Sequence, residues 1–150
     1  MAARRKVWII IALVAATVLF IPVKSLDCPA WDVWVTDPEI RPLSGLTVRL
    51  TCRNYSAERD AYEIDLTTDS RGHVMFAPRT VSASLGRRLL VTLSSAAAGT
   101  HASFGPHANV LVFGNGLEGV AVSGQNDRVV DWTGKPEHMD SRIVVTPQKP

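Results

Sequence analysis

Lysine almost vanishes after position 24, where only Lys135 and Lys149 remain, and Arg87-Arg88 is the only adjacent basic pair beyond that point. Of 16 lysines and arginines, Arg4, Arg5, Lys6 and Lys24 belong to the N-terminal stretch. From Leu26 onward 12 basic residues face 14 acidic ones, a net charge of −2. From Leu26 onward the chain lacks the clustered cations of a phosphate-backbone footprint, so no nucleic-acid partner is expected. Arg87 and Arg88 read as a solvated strand edge. Catalytic motifs are missing too: there is no HExxH pair, no GxSxG elbow and no phosphate-binding loop. Cysteine is down to Cys28 and Cys52, which lack the ligand spacing of a metal site, so no metal or cofactor is expected. Neither internal repeats nor low-complexity segments occur. With 150 residues, 46% hydrophobic and 7% aromatic, the chain suits one domain plus an anchor.

Apolar residues are concentrated first in Val7 to Val23, which follow Arg4, Arg5 and Lys6. This run reads as a membrane helix, with residues 1–24 forming a signal anchor or signal peptide. No small-x-small cleavage site follows it, since Ile21, Pro22, Val23 and Lys24 suit a peptidase poorly. The expectation is an anchor that holds the N-terminus in the cytoplasm and sends the rest across, to the periplasm or cell surface, or to secretion if the segment is cut. Both cysteines then lie in an oxidising compartment, where a Cys28 to Cys52 disulfide would staple the start of the domain. Two free thiols and a lipidated Cys28 are the competing readings, although Asp27 breaks the small-residue requirement for lipidation.

Residues 25–147 read as a β-sandwich domain and 148–150 as a tail. In Leu46 to Arg53 the residues Leu46, Val48, Leu50 and Cys52 alternate with Thr47, Arg49, Thr51 and Arg53. Period two places one set inside and the other in water. Tyr62, Ile64 and Leu66 repeat the pattern, and Val74 and Phe76 continue it after a turn at Asp69 to Gly72, which predicts a hairpin. Trp31 to Thr36 reads as the first strand, with Trp31, Val33 and Val35 on one face. Trp34 falls on the other, either covered or free to stack on a sugar or partner.

Val33-Trp34-Val35-Thr36-Asp37, Pro42-Leu43-Ser44-Gly45-Leu46-Thr47-Val48-Arg49-Leu50 and Thr68-Asp69-Ser70-Arg71-Gly72-His73-Val74-Met75-Phe76 resemble the carboxypeptidase regulatory-like domains. The resemblance covers about a third of the chain, and it departs at Ile40, where the family usually has Gly. It implies an all-β fold: a seven-to-nine-stranded Greek-key β-sandwich of prealbumin-like (transthyretin-like) type, which acts as an accessory module without catalytic residues of its own. In the Thr68-Asp69-x-x-Gly72 motif Asp69 would cap the turn and Gly72 would take a backbone conformation costly for other residues. Related sandwiches can carry a Lys to Asn crosslink, which Lys135 in a turn and Lys149 in the tail do not support. The purine-pathway hydrolases of the same fold end in a Tyr-Arg-Gly-Ser signature that is missing here.

Further along, Arg88 to Leu93 reads as a strand, followed by the Ala- and Ser-rich Ser94 to Ser103, a loop or at most a short helix. Asn109 to Phe113 and Leu117 to Ser123 read as a hairpin, Val129 to Trp132 as a short strand and Ile143 to Thr146 as the last. Gly114-Asn115-Gly116-Leu117-Glu118-Gly119 matches a dinucleotide fingerprint, but strand residues follow it where a helix is needed. Asn54-Tyr55-Ser56 matches a glycosylation acceptor. His101 and His107 read as loop residues, while His73 and His138 stand isolated. The function expected is a non-catalytic, membrane-anchored extracytoplasmic module that binds an envelope protein or glycan, with Trp34, His101 and His107 as candidate contacts. The alternative is a small hydrolase using the two loop histidines.

Overall fold

The computed structural model describes residues 2–97, 99, 103–114, 121–122, 124–125, 128–129 and 131–145. The chain begins with helix α1 (Ala2–Leu19), followed by β1 (Pro22–Cys28), β2 (Ala30–Thr36), β3 (Thr47–Asn54), β4 (Tyr62–Thr67), β5 (His73–Phe76) and β6 (Arg79–Ser84). Helix α2 (Leu85–Ala96) and strand β7 (Pro106–Phe113) come next. The short strands β8 (Ala121–Val122), β9 (Gly124–Gln125) and β10 (Arg128–Val129) precede β11 (His138–Val144).

Two sheets form the body of the molecule, ordered β11-β2-β5 and β4-β3-β7-β8. Alternation decides what each strand contributes. Trp31, Val33 and Val35 of β2, Val74 and Phe76 of β5 and Ile143 of β11 meet Val48, Leu50 and Cys52 of β3 and Val110 and Val112 of β7 in one buried cluster. This is an all-β sandwich, as the period-two runs predict. The Cys28–Cys52 disulfide is formed, with Cα atoms 5.7 Å apart, and joins the end of β1 to the buried face of β3.

Several expectations need correction. The run from Tyr62 to Phe76 is not a hairpin: β4 pairs with β3, and β5 pairs with β2 in the opposite sheet. The Asp69–Gly72 turn therefore carries the chain from one layer to the other. Its chemistry is as expected. Asp69 Oδ1 accepts from the amides of Arg71 (2.8 Å) and His73 (2.9 Å), and these bonds hold its carboxyl below the ordinary range. Gly72 sits at φ +70, where any Cβ would lie 2.4 Å from the Val35 carbonyl oxygen. Ile40, at the position where the resembled family has glycine, takes φ 65 despite its branched side chain.

Arg88 to Leu93 is helix, not strand. Ser84 caps α2, its Oγ accepting from the Arg87 amide at 3.2 Å. Leu85, Leu89 and Leu93 recur every four residues, a spacing that a strand and a helix both place on one face. Arg88 is not a free edge residue, since its Nη2 donates to the Val23 carbonyl and to Ser25 Oγ, each at 2.9 Å.

The N-terminal segment also differs. α1 has 18 residues and ends at Leu19, where Phe20 and Ile21 close the last turn onto Thr17 and Val18. Pro22 disfavours helical backbone in the residue before it, and β1 begins at that proline by pairing with β6. The apolar part, Val7 to Leu19 with Thr17 as its one polar residue, is thus about 20 Å long at ~1.5 Å per residue, short of the ~30 Å hydrocarbon core of a bilayer. Among the described residues no helix is long and apolar enough to cross a membrane.

Candidate functional site: the outer face of the three-stranded sheet

The residues of β2 that point away from the core are Asp32 and Trp34. Antiparallel β5 sets His73 opposite Trp34, and parallel β11 sets Asp140 opposite Asp32. His138 stands two residues before Asp140 and shares its face. The outer surface of this sheet therefore gathers two histidines, two carboxylates and an indole, with Arg142 of β11 opposite Trp34.

Asp32 lies at the centre. His73 Nε2 is 2.6 Å from its Oδ1, and His138 Nε2 is 3.3 Å from its Oδ2. His138 Nε2 is also 3.5 Å from Asp140 Oδ2. The His73 ring leans on Trp34, with centroids 4.2 Å apart and planes tilted by 33°. Asp32 and His73 are half-buried, whereas His138 and Asp140 are open to solvent. Among the described residues no lysine or arginine pairs with Asp32 or Asp140. Facing carboxylates of this kind repel unless something positive lies between them.

The sequence-based candidates are dispersed over the fold. Trp34 belongs to this face and is 38% exposed, with the His73 ring against it. His107 lies on β7 in the other sheet, with its ring edge-on to Tyr55 at 5.3 Å, rather than in a loop. His101 lies outside the described residues, as do residues 115–119 of the glycine-rich stretch. Asn54 is buried, and its Nδ2 donates to Ser25 Oγ at 3.3 Å, so this amide is closed to glycosylation.

A second polar cluster lies deeper. Asp27, fully buried at the end of β1, accepts from Arg79 Nη1, while Arg79 also reaches Glu58 at 2.6 and 3.0 Å. One guanidinium serves two carboxylates. Glu58 receives the two-pronged contact and is held below its ordinary pKa. Asp27 is pushed up to about 6, chiefly by burial and then by the Glu58 charge, against the pull of Arg79. Arg79 also sits 4.5 Å over the Tyr62 ring, beside a cleft of about 490 Å³ lined mainly by Ile64, Leu66, Phe76 and Pro78. This cluster ties the loop at Glu58 to β1 and β6.

No family model matches the chain, and no curated protein does. Among solved structures it is similar to a 3-chlorocatechol 1,2-dioxygenase from Rhodococcus opacus 1CP, with a TM-score of 0.51 and 14% identity. The match covers 83% of this chain and 61% of that one, so the chain spans about three-fifths of its length. At this identity the likeness concerns the fold alone.

Proposed function

We propose that this chain is an exported β-sandwich held at the membrane, where it binds an envelope protein or glycan through the Trp34 face and carries out no chemistry. Its finer architecture in this reading is a Greek-key, prealbumin-like sandwich akin to the carboxypeptidase regulatory-like domains. The observation that carries the proposal is the apolar surface of the two helices. α1 exposes Val7, Trp8, Ile10, Leu13 and Val14, and α2 buries none of its residues and exposes Leu85, Leu89, Leu90 and Leu93. The helices touch where Gly86 lets the Leu19 carbonyl approach; a Cβ there would stand 3.2 Å from that oxygen. Exposed apolar residues on two touching helices fit lipid better than water.

Attachment in this reading is by immersion. The leucine face of α2 lies in the interface plane, as amphipathic helices do. The apolar part of α1 has the length of an export-signal core, about 7–15 residues, and it touches α2, so both helices meet the same face of the membrane. The disulfide supports an oxidising compartment. A hydrolase built on His101 and His107 draws no support from His107, which no carboxylate approaches among the described residues.

Flotation of the full chain with phospholipid vesicles tests the proposal. Wild type should rise with the vesicles, and the Leu89→Asp/Leu93→Asp variant should lose at least tenfold in bound fraction, since each buried leucine contributes ~2 kcal/mol. Both leucines are exposed, so the melting temperature should not change. Wild type remaining at the bottom of the gradient would refute the membrane reading.

A further inference from the structure

We propose that the outer face of the three-stranded sheet binds one divalent transition-metal ion, through Asp32 Oδ2, His138 Nε2 and Asp140 Oδ2. The inference deepens the reading of this face as the binding surface, and it does not depend on membrane attachment.

The first support is geometric. Metal-to-ligand bonds of ~2.0–2.1 Å in a tetrahedral site place neighbouring ligand atoms about 3.3–3.4 Å apart. His138 Nε2 lies 3.3 Å from Asp32 Oδ2 and 3.5 Å from Asp140 Oδ2, close to two edges of that tetrahedron. All three ligand atoms lie within 4.8 Å of one another. The side chain of Asp140 is 72% exposed and free to close the third edge by a small rotation.

The second support is charge. Asp32 and Asp140 occupy facing positions of β2 and β11 with no lysine or arginine paired to either among the described residues. A dication between them removes their repulsion and takes a neutral imidazole as its third ligand. Imidazole in the set favours zinc, copper or nickel over magnesium or calcium, which prefer oxygen alone.

His73 completes the arrangement without needing to touch the ion. Its Nε2 holds Asp32 Oδ1 at 2.6 Å, which turns Oδ2 toward His138, and its ring is braced on Trp34. Such partners orient a metal-binding carboxylate, and their loss typically weakens affinity 10–100-fold. His73 is a positioning residue. With three protein ligands the fourth position stays open to water or to a donor atom from a bound partner.

Isothermal titration of the full chain in detergent with Zn2+ decides the matter. The expected result is one ion per chain with micromolar affinity, not competed by millimolar Mg2+ or Ca2+. Asp140→Asn, an exposed change that leaves the fold intact, and His138→Ala should each weaken binding at least 100-fold. His73→Ala should weaken it about tenfold while keeping a stoichiometry of one. No binding of Zn2+ by wild type, or Asp140→Asn and His138→Ala binding as wild type does, would overturn the site. The flotation assay is read separately, so failure of the ion site and failure of membrane attachment are distinguished.

Discussion

The sandwich and the two helices treat the same residue types in opposite ways. Val48 and Val110 are 0% exposed and Leu50 is 1% exposed, whereas Ile10 is 60% and Leu90 is 70% exposed. The sandwich is closed because two amphipathic sheets cover each other, and a disulfide pins β1 to their core. Among the described residues nothing gives the helices such cover. Apolar surface that the fold does not use is available for an outside phase, and this separation of cohesion from attachment is what the comparison teaches.

Leucine truncation sharpens the contrast most. Leu50→Ala should cost roughly 3–4 kcal/mol in denaturant unfolding, from lost burial and the cavity left behind. Leu90→Ala should change stability by less than about 0.5 kcal/mol. Equal effects would dissolve the distinction. The disulfide ranks next and acts on the sandwich alone. Cys28→Ser/Cys52→Ser should lower stability by about 3 kcal/mol, as a loop of this length predicts, while the helical circular-dichroism signal at low denaturant stays unchanged.

Proton linkage at Asp27 tests whether the interior of the sandwich tolerates charge. Its folded pKa, about 6, lies above the ordinary aspartate value of 3.8, so the folded state binds the extra proton between those values. Stability from this group therefore rises as pH falls through about 6, and the chain should be about 1 kcal/mol more stable at pH 5 than at pH 7.5. Asp37, Glu58 and Asp69 have lowered values. Their stabilisation is present above the ordinary carboxylate range and is lost only as pH falls through those depressed values, outside this window. Asp27→Asn should flatten the profile between pH 5 and 7.5, read from denaturant midpoints. The smallest effect is at the rim. Ile40→Gly should stabilise by about 0.5 kcal/mol, because glycine takes the left-handed conformation without the penalty, of about 1–2 kcal/mol, that a side chain incurs. Ile40→Ala should give no comparable gain.

Much of the sandwich could be read from the chain because strand burial is a local signal. The period-two runs at Trp31–Thr36, Leu46–Arg53 and Tyr62–Leu66 state which side chains go inward wherever the strands end up. Partnership is not local, so the residues on either side of Asp69–Gly72 carry a hairpin pattern although β4 and β5 belong to different sheets. Leu89, Val91 and Leu93 satisfied a strand pattern, yet Leu85, Leu90 and the cap at Ser84 carried the helical signal. The candidate site was the least legible. His73 and Asp32 are 41 residues apart, and His138 and Asp140 reach Asp32 only through the parallel pairing of β11 with β2, which no short motif announces. The available hint was Asp32 itself, a carboxylate beside an exposed tryptophan on a strand whose other face is wholly apolar.

The separation of sandwich from attachment surface is tested most directly by the tryptophans, because Trp31 and Trp132 are buried while Trp8 on α1 is 66% exposed. Full chain mixed with vesicles whose acyl chains carry bromine should show quenched tryptophan fluorescence, and Trp8→Phe should abolish most of that quenching. Fluorescence indifferent to brominated lipid, or quenching that survives Trp8→Phe in full, would contradict the account.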